Sequence, residues 1–251
     1  MLPTTPLHVE LPREAPFEAL VMTSGNASEE PICQGNREAL DRLAPFADAW
    51  LLHDRDVVRR VDDSVVRSDP AGAFVVRRAR GYVPQPLSLP VEAPRPVLAM
   101  GGHLQVTACL GVGSLAFPSQ HVGDLDSEPA RAFLEEVVGG LERFLEVSAG
   151  TIVVDEHPDY PSAWRGRELA AERGAELVEV QHHLAHVAAG LGEAGAFPDE
   201  GERAGGIALD GTGYGPDGTA WGGEWLVLDG ELRWQRVGSL EPFPLVGGEQ
   251  A

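Results

Sequence analysis

The chain has 251 residues and a formal net charge of −20, with 39 acidic residues against 19 basic ones. A surface this acidic repels a phosphate backbone, which argues against a protein that tracks nucleic acid. Its 43% hydrophobic content supports one large core or two modest ones, and no stretch approaches the ~18–20 apolar residues of a membrane span. Two cysteines, Cys33 and Cys109, are too few for a disulfide framework, and both lie among apolar residues. They are expected as buried packing residues in a reducing cytoplasm. The N-terminal "MLPTTPLHVE" lacks the charged-then-apolar order of a signal peptide. Every basic residue is arginine.

In chain order, "EALVMTS" (18–24) reads as a buried strand ending in small polar residues, and "NREALDRLAPFA" (36–47) as a helix. "DAWLLH", "DSVVRS" and "GAFVVRR" read as further strands. "YVPQPLSLPVEAPRP" (82–96) contains five prolines. That density works against a helix or a central strand and predicts a stiff linker over 86–96, between domains at 1–85 and 97–251. Beyond it, "PVLAMG", "LQVTACLG" and "SLAFPSQ" read as three consecutive strands. "EPARAFLEEVVGGLERFLEV" (128–147) is helical, with Phe133, Val137, Leu141, Phe144 and Leu145 on one face. "TIVVD" and "ELVEV" are strands, each followed by a helix, and "GGIALD", "GTAWGGEWLVLD" and "ELRWQRVG" begin a run of hairpin strands. The class is α/β: a mixed α+β lobe, then an order that resembles the ribonuclease-H-like half of the actin and sugar-kinase superfamily.

Three stretches carry chemistry. In "QHHLAHVAAG" (181–190), His182 and His186 are four apart and share one helix face at the first turn after a strand. Open α/β sheets place ligands at such strand ends. Spacing alone leaves two readings open, a metal site and a wet helix end. His183 points about 100° around the helix and is expected beside the site or exposed. "IALDGTGYGPDG" (207–218) is a strand running into a glycine-rich turn. Asp210 sits where that strand ends, and Gly211, Thr212 and Gly213 could bring backbone N–H groups up to a phosphate oxygen. A plain glycine hairpin is the competing reading. With the two histidines, Asp210 forms a set suited to zinc or iron with open positions remaining. In "VMTSGNASEEPI" (21–32), Thr23, Ser24 and Asn26 suit neutral hydrogen bonds to phosphates, or a cap for the next element. Arginines bunch between 55 and 80, with Arg60 and Arg80 as candidate phosphate forks, and local ion pairs are the alternative.

Taken together, these stretches resemble the hydrogenase maturation carbamoyltransferase family, HypF. The likeness also includes "LPTTPLH", "LLHDRDVVRRVDDSVVR", "RRARGYVPQPL", "SQHVGDL", "HPDY" and "PFPLVGGEQA". The order, a YrdC-like module before a module similar to tRNA threonylcarbamoyl transferases, is specific to that family. The resemblance implies that carbamoyl phosphate and ATP are substrates and that carbamoyl adenylate forms from them. The carbamoyl group then passes to a C-terminal cysteine of a partner maturation protein, on the way to a cyanide ligand. It implies a divalent metal on His182, His186 and Asp210, a nucleotide or carbamoyl-adenylate pocket at Thr23, Ser24, Asn26, Arg60 and Arg80, and a cytoplasmic location. It further implies that this chain is an internal piece of a longer protein. Departures are Gln105, where relatives carry lysine, and Glu29, an acid beside the expected anionic pocket. Two competing readings are an inactive piece that only binds or assembles, and a threonylcarbamoyl-type transferase acting on tRNA. The −20 charge counts against the second.

Overall fold

The computed structural model describes residues 5–13, 20–28, 30–70 and 72–241. Contacts divide the chain into two units, residues 1–60 and 61–251.

The first unit holds α1 (Pro6–Glu10) and α2 (Asn36–Arg42). The predicted helix over 36–47 stops at Arg42 because Pro45 disfavours helical backbone just before it. Neither "EALVMTS" nor "DAWLLH" forms a strand among the described residues, and residues 18 and 19 lie outside them. A strand exists only when its backbone groups are paired. Leu20, Val21, Met22, Leu51 and Leu52 are instead exposed. Glu29 also falls outside the described residues.

The second unit starts with the antiparallel hairpin of β1 (Val65–Asp69) and β2 (Gly72–Arg77). Residues 61–85 group with this unit by contact. Ala79 is fully buried, and the His121 N–H donates to Arg78 O at 2.9 Å. The predicted linker over 86–96 is a strand instead: β3 runs Leu87–Ala99 and pairs antiparallel with β4 (Cys109–Pro118). Proline is tolerated in a sheet at bulges and edges, and both conditions hold. The β3–β4 register slips between Ser88 and Ala93 and again before Val97. On its other side β3 meets β5 (Thr151–Asp155) only over Val97–Ala99. Where three strands were predicted from 96 to 120, there are two. Leu104 and Gln105 lie in an exposed bend, Gln105 with φ +46°. The β4 strand continues through Gly113 (φ +58°) as a bulge rather than a turn.

β6 (Glu176–Val180) completes a sheet of order β4-β3-β5-β6, with β5 parallel to both neighbours. α3 (Glu128–Leu145) and α4 (Pro161–Arg173) supply its core. Ser127 caps α3 by accepting from the Ala130 N–H at 3.2 Å. Phe133, Leu134, Val137, Val138 and Leu141 are buried, whereas Phe144, expected on that face, is 50% exposed. They pack with Leu98, Leu110, Ile152 and Val154. Gly166 lets α4 lie close on the sheet: a Cβ there would sit 2.3 Å from Val154 Cγ1 and 3.0 Å from Met100 Cγ. Gly166→Ala is therefore expected to lower stability by about 1–3 kcal/mol through overpacking, measured by urea denaturation. The exposed Gly190 has nothing within 4 Å of the same position, and its alanine variant should not lose stability.

α5 (His182–Ala194) leads to a separate antiparallel sheet of β7 (Arg203–Tyr214), β8 (Ala220–Asp229) and β9 (Trp234–Ser239). Val187 packs there with Ala208, Leu226 and Leu228 as a second small core. Cys33 and Cys109 are unpaired and partly buried. Burial pushes the Cys109 thiol up to about 11. No described helix is long and apolar enough to cross a membrane.

Candidate metal centre

The N-terminus of α5 lies at the carboxyl ends of β5 and β6, where parallel strands open onto solvent. Gln181 caps it and is itself 1% exposed. Its Oε1 accepts from the Leu184 N–H at 2.9 Å, and its Nε2 donates to Tyr214 O at 3.0 Å, tying α5 to the end of β7. The same amide lies 3.1 Å from His183 Nδ1.

The glycine-rich turn expected after Asp210 is part of β7, and the turn itself follows Tyr214. Leu209 pairs with Gly223 and Gly213 with Trp221, so Asp210, Gly211 and Thr212 bulge out opposite Gly222. Bulges re-aim side chains, and this one turns Asp210 toward α5. Gly213 makes the approach possible: a Cβ there would lie 2.6 Å from His183 Cε1 and 2.8 Å from His182 Cδ2. Gly211, Thr212 and Gly213, predicted as a phosphate-contacting turn, are thus strand residues beside the histidines.

Three atoms converge. His182 Nε2 is 3.0 Å from Asp210 Oδ2 and 3.3 Å from His186 Nε2, and His186 Nε2 is 4.0 Å from Asp210 Oδ2. Among the described residues they form a group with metal-ligand spacing. His182 Nδ1 lies 2.6 Å from Asp155 Oδ2. A carboxylate only accepts, so Nδ1 carries a proton, and in the neutral ring Nε2 keeps the lone pair. That lone pair faces the Asp210 oxygen, which is buried without a directed hydrogen bond. Facing acceptors at this range repel unless a cation or a proton lies between them. Ligands of a tetrahedral ion at ~2.0–2.1 Å stand about 3.3 Å apart, so the donor set fits zinc or iron. A proton is the competitor. The hydrogen bond to Asp155 holds His182 above the ordinary histidine value; burial opposes this, and the charges of Asp155 and Asp210 reinforce it.

His183 is neither exposed nor in the cluster. It is fully buried, and its Nε2 has no partner. Burial, then the His182 charge, lower its proton affinity. Asp155 is the residue that sequence reading missed; its place at the end of "TIVVD" was the only signal. His182 and His186 also line an open pocket of about 520 Å³ with Gly101, Gly102, Asp155 and Val180.

The predicted nucleotide residues are distributed differently. Thr23, Ser24, Asn26 and Arg60 lie in the first unit, and Arg80 in the second. Asn26 turns its amide inward, donating to Ala27 O (2.9 Å) and Glu30 O (2.8 Å). Arg60 donates to Ile32 O at 3.2 Å and pairs with Glu38 at 3.7 Å. Arg80 pairs with Asp63, with Nε 2.9 Å from Oδ1. Both arginines thus have acidic partners, the structural alternative left open for them.

Comparison with known proteins gives the class and then the family. Residues 92–193 match the family described as "HypF Kae1-like domain" and residues 206–251 "Carbamoyltransferase, Kae1-like Domain, second subdomain". The class is therefore a Kae1-like domain. Residues 1–79 match the Sua5/YciO/YrdC family, described as "Telomere recombination". Over the whole chain, "Carbamoyltransferase HypF2" of Cupriavidus necator is 46% identical and "Carbamoyltransferase HypF" of Synechocystis sp. 44%. A structure described as "full-length HypF in the phosphate- and nucleotide-bound form" superposes with a TM-score of 0.78 at 42% identity, covering 86% of this chain and 27% of that one. The chain belongs to the HypF family. It spans 32% of the length of each of the two curated relatives.

Proposed function

We propose that this chain carries the carbamoyl-transfer portion of a HypF carbamoyltransferase. The observation that carries the reading is the convergence of His182 Nε2, His186 Nε2 and Asp210 Oδ2 at a pocket on the strand ends. The names of the relatives supply the reaction class, and the phosphate- and nucleotide-bound state of the solved relative supports an ATP-derived substrate. In this reading water cleaves carbamoyl phosphate to carbamate and inorganic phosphate, and a carbamate oxygen then attacks the α-phosphorus of ATP, expelling pyrophosphate to give carbamoyl adenylate. A cysteine thiol of a partner maturation protein then attacks the carbamoyl carbon and AMP leaves.

His182, His186 and Asp210 hold a zinc or ferrous ion, which when bound supplies Lewis acidity toward a phosphate or carbonyl oxygen. The α5 N-terminus adds positive potential where an anionic substrate group would lie. Thr23, Ser24 and Asn26 offer a neutral loop toward nucleotide, and Arg60 of the same unit a charge, whereas Arg80, paired with Asp63 in the second unit, is left out of that pocket. Two unpaired cysteines fit a cytoplasmic location.

The test is ATP cleavage to AMP and pyrophosphate in a zinc-supplemented reaction, with and without carbamoyl phosphate. Cleavage that requires carbamoyl phosphate and falls at least tenfold in Asp210→Ala supports the reading. Zinc binding without carbamoyl-phosphate-dependent cleavage would assign the chain a binding role only.

A further inference from the structure

We infer that Asp155 is a positioning residue for the His182–His186–Asp210 centre: it fixes the His182 proton on Nδ1 and so keeps Nε2 as the lone pair facing the shared point. The inference rests on the metal reading above. Asp155 closes β5, at the carboxyl end of a parallel strand. One oxygen, Oδ1, accepts from the His157 backbone N–H at 2.8 Å. The other, Oδ2, is 2.6 Å from His182 Nδ1. With one oxygen tied to backbone and the other to the ring, the carboxylate cannot rotate without losing a bond. Its side chain is 8% exposed, so water offers little substitute.

The turn after Asp155 adds a second constraint. His157 lies flat on Tyr160, with centroids 4.0 Å apart and planes 3° apart, and Tyr160 meets the His182 ring edge-on at 6.4 Å. One short segment thus provides both the donor that locks Asp155 and an aromatic wall beside His182. His186 lacks this support. It is 57% exposed, and among the described residues Asp210 is the only carboxylate within 4.0 Å of it. The two histidines are therefore unequal: His182 is held in orientation by Asp155, whereas His186 stands exposed without such a carboxylate. Carboxylates that hold a ligand histidine typically change metal affinity about 10–100-fold when removed.

A purely structural role, pinning α5 to β5, predicts lost stability with no change in the ring's proton. Nitrogen-15 NMR of the metal-free 251-residue chain at about pH 9, above the ordinary histidine range, separates the two. His182 is expected as the Nδ1–H tautomer, and Asp155→Ala is expected to shift it toward Nε2–H. Zinc affinity by calorimetry is expected to fall about 10–100-fold in Asp155→Ala. Asp155→Asn keeps an acceptor oxygen, so it should retain the tautomer and lose less affinity; if the alanine variant does not fold, Asp155→Leu, close in shape but without an acceptor, carries the test. In a folded Asp155 variant that lacks the acceptor, an unchanged tautomer, or unchanged affinity while His182→Ala abolishes binding, overturns this inference alone. Zinc binding that survives His182→Ala removes the metal reading and this inference with it.

Discussion

His182→Ala is expected to remove zinc binding from the chain in a calorimetric titration, and His186→Ala and Asp210→Ala to weaken it by about 10²–10³-fold each. The scale follows from structural zinc sites, where about 10–16 kcal/mol spread over four ligands gives about 3–4 kcal/mol per ligand. His182 should be the most costly loss because it touches both other ligand atoms. His183→Ala is the control. It empties a fully buried position but removes no converging atom, so it should cost stability and spare the ion. Loss of binding in His183→Ala, with binding kept in His186→Ala, would sink the assignment.

In the metal reading a proton and an ion would compete for one place, which fixes a pH dependence. His182 is held above its ordinary value by Asp155 and, further, by Asp210. The stability it contributes to the metal-free chain is complete below the unfolded value of about 6.5 and is lost as pH rises through the raised folded value. Asp210→Ala should therefore destabilise the metal-free chain at about pH 6. Once the ring is neutral it should cost little, because it then removes a repulsion between acceptors. Denaturation curves for both chains at about pH 6 and about pH 9 decide this; equal losses at both would contradict it.

Gly213→Ala is the second large effect. Its Cβ would enter both histidine rings, at 2.6 and 2.8 Å. The His183 ring has no free space to retreat into, because it is fully buried. Overpacking of this kind costs about 1–3 kcal/mol, and pushing the His182 ring away should also lower zinc affinity. Gly211→Ala, two residues earlier in the same bulge, meets nothing within 4 Å and should leave both stability and zinc affinity nearly unchanged. If the two variants behave alike, the close approach of β7 to α5 is not what sets the site.

The parts of this fold legible in the sequence are those whose signal is local. α3 shows its period in Phe133, Val137 and Leu141, and β5, β6 and α5 follow from short apolar runs and their caps. The spacing of His182 and His186, and Asp210 after an apolar strand, were likewise visible. What failed depended on distant partners. Pro90, Pro94 and Pro96 forbid a central strand only if both edges are paired there, and the β5 pairing begins at Val97. Gly211 and Gly213 look like a turn because a bulge and a turn share their residues. Asp155 was unreadable because its partner is 27 positions away. The burial of His183 depends on Trp221 and Gly213, which belong to another sheet.

The four-stranded and the three-stranded sheet of the second unit share no strand pairing. His182 and His186 ride on a helix set at the end of one, and Asp210 projects from a bulge in the other. An ion held by all three is then a rivet between two plates. Any sliding of the plates changes the His–Asp separations, now 3.0 and 4.0 Å, and so changes the grip on the ion. By reciprocity the ion resists that sliding with whatever free energy the altered grip would forfeit. Loading the site would stiffen the unit, and strain applied at β8 or β9, far along the chain from the histidines, would register as a change in metal affinity.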